Sequence, residues 1–239
     1  MALRSCSRRA PGDLAHRAAV VLRWPLGLAR VSWQYMWRTT PMRRSETAGP
    51  SAERPWQVPD DLVDEDLQRI EDGVGPLVHR RYSVRISGAS ASPEEVIGRL
   101  SGDPNCGAPA DVASFEKVRG VEGEMRVGDE FLIRMPGPWD GPVRVIGMGH
   151  ASFRLATLRG HLEAGQIEFR CRPEGDDLLF EIESWARSGD RLSDLLYTRL
   201  RLAKEIQLNL WVETCLRLTR DLGGKPRCGV RIDTHRVTD

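Results

Sequence analysis

The chain has 239 residues and a mass of 26.8 kDa, room for one domain of about 150–200 residues plus tails. Hydrophobic residues at 40% and charged residues at 29% allow a packed core and exclude a wholly disordered chain, and no apolar run approaches the roughly 18–20 residues of a membrane-spanning helix. The net charge of +1 hides an asymmetry: residues 1–45 carry nine arginines against the single acid Asp13, which leaves 26 basic residues against 33 acids in the rest.

In the arm, Leu14 to Arg38 is studded with arginine and carries Trp24, Trp33 and Trp37. Arg17, Arg23 and Arg30 interrupt every stretch that would serve as a secretory signal, and Pro25 breaks or kinks a helix there. Arginine with tryptophan is the composition of an interfacial helix on anionic lipid. The alternatives are docking on its own domain, a partner protein, non-specific nucleic-acid binding, or a true start at Met36 or Met42. No specific nucleic-acid motif accompanies the charge. The Pro- and Ser-bearing stretch that follows reads as a flexible linker, so residues 1–56 are expected to be arm and linker. Asp60 and Asp61 then introduce a short acidic helix to about Asp72.

From Arg80 the hydrophobic period becomes two. Tyr82, Val84 and Ile86 mark the first strand. Ser92-Pro93-Glu94-Glu95 starts a helix that runs to about Leu100, with Ser92 as N-cap and Pro93 at the first helical position. A second short helix is predicted through Val112 to Lys117. Strands follow at Glu130–Met135, Val143–Ile146, Ser152–Thr157, Gln166–Cys171 and Leu178–Ser184, joined by short Gly-bearing loops that make neighbours antiparallel. A helix of roughly 32 residues is predicted from Arg191 to Leu222, stopped by Gly223-Gly224 and Pro226, with Leu192, Leu196, Ala203, Ile206 and Leu210 along one side. Its apolar stripe needs cover that only the sheet supplies.

The fold class is therefore α+β: a curved antiparallel sheet of about six to seven strands wrapped round a long C-terminal helix, with two short helices after the first strand. The domain is expected to span 57–226, with a polar tail at 227–239. This is similar to the helix-grip arrangement of the START and Bet v 1-like superfamily, a resemblance that implies a cavity between sheet and helix.

Thr157-Leu-Arg-Gly160-His161-Leu-Glu163-Ala-Gly165-Gln166-Ile-Glu168-Phe169 resembles the hallmark of the uncharacterised bacterial and plant family called domain of unknown function nineteen-ninety. Trp139-Asp-Gly-Pro-Val-Arg-Val145 upstream and Lys204-x-x-Gln207 downstream add to the likeness, which covers about residues 80–222. Many members carry Glu at the position of Gln166 and Arg at that of Lys204.

His161 with Glu163 or Glu168 forms a candidate acid/base pair for a lyase, cyclase or hydrolase; the competing reading has His161 ordering its turn. Glu168, Glu181 and Glu183 share strand faces with arginines. Either they pair on a solvated face, or the face turns inward and recognises a ligand. On the inward reading the ligand contacts are Arg144, Arg154, Thr157, Glu168, Glu181, Glu183, Lys204, Gln207 and Trp211, and the preferred function is binding of an apolar or amphipathic small molecule in the cavity.

A nucleophile elbow, a P-loop and a zincin helix motif are all missing. His16, His79, His150, His161 and His235 lack metal-ligand spacing, so neither cofactor nor metal is expected. Five scattered cysteines (Cys6, Cys106, Cys171, Cys215, Cys228) fit a reducing cytoplasm, peripheral to a membrane if the arm binds lipid.

Overall fold

The computed structural model describes residues 42–50, 53–108, 113–135, 140–189 and 202–238, with the backbone alone over 202–207. The arm before residue 42, Trp139 and the predicted helical residues 190–201 lie outside the described residues.

Nine strands form one open, curved sheet. In chain order they are β1 (Met42–Gly49), β2 (Val74–Ser87), β3 (Ser114–Arg119), β4 (Glu130–Arg134), β5 (Asp140–Gly149), β6 (Ser152–Thr157), β7 (Glu163–Glu174), β8 (Asp177–Ser188) and β9 (Lys225–Val237). Among the described residues two helices accompany them, α1 (Pro93–Gly102) and α2 (Leu202–Asp221). The strands lie in the order β1-β9-β2-β8-β7-β6-β5-β4-β3, antiparallel throughout except for the parallel pair β1–β9.

Strand alternation divides the side chains between two faces. Tyr82, Val84, Phe153, Phe169, Phe180 and Ile182 point to the inner face, where Leu208, Trp211, Cys215 and Leu218 of α2 complete one buried cluster. Val96, Ile97 and Leu100 of α1 join it. The local signals operate as expected. Ser92 and Glu95 form a reciprocal capping box at the start of α1, with Pro93 in the first turn. At the end of α2, Gly223 adopts φ +67° and the amides of Gly223 and Gly224 bond back to Arg220 and Thr219, a Schellman closure.

Several elements depart from the sequence reading. The expected tail at 227–239 is largely β9, a 13-residue strand paired with β2 from Leu77↔Val237 to Ser87↔Lys225. Val230 and Ile232 are fully buried on its inner side, so leaving the chain outside the sheet would expose them and leave one edge of β2 unpaired. Part of the expected linker is β1, held on β9 by pairs such as Ser45 Oγ donating to Asp233 (2.5 Å) and Arg236 with Glu46 (2.8 Å). With β3, these two raise the six strands named from the sequence to nine.

The second short helix is replaced by β3. Phe115 and Lys117 stand opposite Ile133 and Phe131 of β4, and the ammonium of Lys117 is captured by the Val121 and Glu124 carbonyls and the Asp129 carboxylate. Tertiary pairing overrides a short stretch of helical composition. The acidic helix expected at 60–72 is instead part of an extended strap, residues 53–73, with two single 3₁₀ turns, Asp60–Leu62 and Ile70–Asp72. The strap crosses the outer face of the sheet. Leu67 pairs with Leu158 and, with Ile146 and Ala156, builds a second small core against which Val58 and Leu62 pack. Burying a large aliphatic side chain contributes about 1.5–3 kcal/mol, more than a short polar helix would gain by forming alone.

Candidate functional site

The site-bearing residues fall into two places separated by the thickness of the sheet. The first lies on the inner face, between the sheet and α2. Leu100, Phe115, Phe131, Phe153, Leu155 and Phe169 line an apolar depression that Trp211 and Thr214 of α2 close from above. Its volume is about 380 Å³ including space open to solvent, around an inner cavity of about 20 Å³, room for about one water. Phe153 stacks on Phe169 (centroids 4.7 Å apart), and Phe169 meets Trp211 edge to face (5.4 Å, 73°). Thr214 Oγ1 donates to the Leu210 carbonyl within the helix (2.8 Å). The Nε1–H of Trp211 is buried without an acceptor among the described residues.

The second place is the outer face, where a charge network runs across β7, β8 and β2. Arg170 bonds Glu168 (3.0 Å), Glu181 (3.0 Å) and Glu183 (2.5 Å), and Arg172 adds a contact to Glu181 (3.4 Å). Glu183 also accepts from Arg81 (2.7 Å) and meets His79 Nε2 at 2.6 Å. The His79 ring lies flat on Trp185, centroids 3.7 Å apart and 3° between planes. Burial pushes the Glu183 carboxyl up, but the His79 and Arg81 hydrogen bonds and the Arg170 charge outweigh it and hold the group at about 2. The strap supplies the cover: Glu53 pairs with Arg81 (3.0 Å), the Trp56 carbonyl accepts from Gln166 (2.9 Å), and the Trp56 ring lies under Arg154 (5.9 Å). Asp64 pairs with Arg144 (2.8 Å), which is held from the other side by Glu130 (2.7 Å).

The expected ligand contacts are thus split. Arg144, Arg154, Glu168, Glu181 and Glu183 lie on the face away from α2, and they do not point into the cavity. The face is only partly solvated: Glu183 is 3% and Arg144 4% exposed, while the Arg172 side chain is 52% exposed. The reason is the period of two: once Phe169, Phe180 and Ile182 pack on the helix, Glu168, Arg170, Glu181 and Glu183 must take the other side. Thr157 ties chain to chain, donating to the Gln68 carbonyl (3.0 Å) and accepting from the Gly165 amide (2.9 Å). The side chains of Lys204 and Gln207 lie outside the described residues. Of the expected contacts with a described side chain, Trp211 alone lines the cavity.

His161 occupies the turn between β6 and β7. Its Nδ1 accepts from the backbone amide of Glu163 (2.9 Å), which leaves the proton of the neutral ring on Nε2. Burial pushes the imidazole pKa down against the opposing pull of the Glu163 charge. The ring packs on Gly141, where any Cβ would crowd it. This geometry closes a turn; Glu168 belongs to the outer network on the far side of the sheet.

Sequence spacing missed the cluster of Glu53, His79 and Glu183, whose donor atoms lie within 4.8 Å of one another. This is the geometry of a cation site, and the Arg81 guanidinium already provides the cation, 2.7 Å from Glu183 and 3.0 Å from Glu53. The three come from the strap, β2 and β8, so no local pattern announces them.

The fold is that of a helix-grip α+β domain, an open curved sheet packed over its longer helix. Residues 111–213 match the model of the family described as Domain of unknown function (DUF1990), the family that the hairpin between β6 and β7 resembles. No curated protein matches the chain in sequence. Among solved structures, the chain is similar to the KanY protein (13% identity, 63% of this chain and 100% of that one, TM-score 0.43). It is also similar to major latex-like protein 151 from Panax ginseng (14%, 55% and 95%, 0.37) and to a norcoclaurine synthase point mutant from Thalictrum (13%, 62% and 99%, 0.40). Among the described residues, no helix is long and apolar enough to cross a membrane.

Proposed function

We propose that the domain binds an apolar or amphipathic small molecule between the sheet and α2. The observation that carries this reading is the depression under Trp211, walled by aromatic and aliphatic side chains from β3, β4, β6, β7 and α1. The lining has the character of such sites, apolar with a few polar groups that fix orientation; the enclosed space holds about one water, so a ligand enters by parting Trp211 from the phenylalanine rings. The outer-face network fits a structural role, because each of its carboxylates is engaged by arginine or histidine.

The test is titration of the full chain with the neutral fluorophore N-phenyl-1-naphthylamine, alongside native mass spectrometry of protein purified without denaturant. Saturable binding at one site per chain is expected, abolished by Phe169→Arg in a variant that keeps the wild-type circular dichroism spectrum. Absence of saturable binding, with no co-purified small molecule, would overturn the proposal.

A further inference from the structure

Trp211 stands out among the cavity residues because it is polar, buried and unsatisfied. It is 7% exposed, it lines the cavity, and its indole N–H has no acceptor among the described residues. An unmade hydrogen bond at a buried donor costs about 1–3 kcal/mol, so a native structure that keeps one generally has a use for it. Thr214, the other polar residue of the wall, has spent its only proton on the Leu210 carbonyl. The described wall therefore offers a single free donor, and neither lysine nor arginine is part of it.

We propose that Trp211 selects the ligand: its Nε1–H donates to an uncharged oxygen acceptor, of the ketone type, on an otherwise apolar molecule whose hydrocarbon packs on Phe153 and Phe169. This rests on the reading of the depression as the ligand site and adds the chemical class. A carboxylate is disfavoured because no cation in the described wall offsets the cost of drying it. A pure hydrocarbon fills the same space but leaves the indole N–H unpaired.

The experiment compares acetophenone with α-methylstyrene, which has the same shape with CH₂ in place of oxygen. Binding to the ¹⁵N-labelled full chain is followed by NMR, observing the indole N–H of Trp211. Acetophenone is expected to bind about tenfold tighter, the equivalent of one net hydrogen bond, and to move the Trp211 N–H resonance downfield; α-methylstyrene should not move it so. In Trp211→Phe the preference should vanish. If both probes bind the wild type equally, or if the preference survives in Trp211→Phe, the role of Trp211 is refuted while the cavity reading stands. If neither probe binds, the cavity reading itself falls. Should Trp211→Phe fail to fold, the wild-type affinity ratio and the resonance shift decide alone.

Discussion

Replacing Glu183 by Gln tests the outer-face network directly. The substitution keeps the shape and an acceptor oxygen but removes the charge that Arg81, Arg170 and His79 converge on. The folded group is held at about 2 against an ordinary value of 4.5. Its folded pKa is depressed, so the unfolded chain binds the extra proton. The stabilisation is therefore fully present above about pH 4.5 and is lost as pH falls towards 2. At 1.36 kcal/mol per pH unit, that is on the order of 3 kcal/mol at pH 7, of which about 2 kcal/mol is gone by pH 3. Urea unfolding of wild type and Glu183→Gln at pH 7, 5, 4 and 3 reads it out. The variant should be weaker by about 3 kcal/mol at pH 7, and the gap should narrow steadily below pH 5. A gap that stays constant from pH 7 to 3 would refute the assignment of Glu183 as the charged centre of the network.

Gly165→Ala should be severe, about 3 kcal/mol or more, because the new Cβ runs into the Trp185 carbonyl of β8. Gly160→Ala, in the same motif, should cost only about 1 kcal/mol from its φ of +96°, since its Cβ would meet nothing within 4 Å; equal thermal shifts in the two variants would contradict this. Cys228→Gly should stabilise by about 0.5–1 kcal/mol in urea titrations, because Cys228 adopts φ 65° at the bulge in β9; a loss of stability would show a packing role for the thiol. His161→Ala should destabilise the fold by about 1–2 kcal/mol through loss of the bond from the Glu163 amide, read as a lower melting temperature. An unchanged melting temperature would return His161 to the list of candidate catalytic groups.

The motif that carries the family resemblance reads differently once folded. Thr157, Gly165 and His161 each close a backbone group or make room for one. They hold the β6–β7 hairpin against the strap and β8, so the motif identifies a scaffold, and the cavity opens elsewhere. Phe131, Phe153 and Phe169 were legible as inward positions of strands. That their rings would leave space under Trp211 was not, because the space depends on the distance between β-strands and a helix that are far apart in sequence.

By itself the sequence determined what depends on neighbours along the chain. The period of two fixed most strands of the meander and the sides their residues take, Ser92 with Glu95 fixed the start of α1, and Gly223-Gly224 fixed the end of α2. Tertiary structure alone decided the pairings between the ends of the chain: β1 on β9, β9 on β2, and the strap over the charges of β7 and β8. Val230, Ile232 and Thr234 carried an alternating signal, but a strand so close to the end of the chain has no local reason to return to β2. Its reward is a partner more than 140 residues away, and the free energy of that pairing lies in the sheet it joins. The same holds for Glu168, Glu181 and Glu183. Their spacing told that they share a face, and only the strap laid across that face decided that it would be buried.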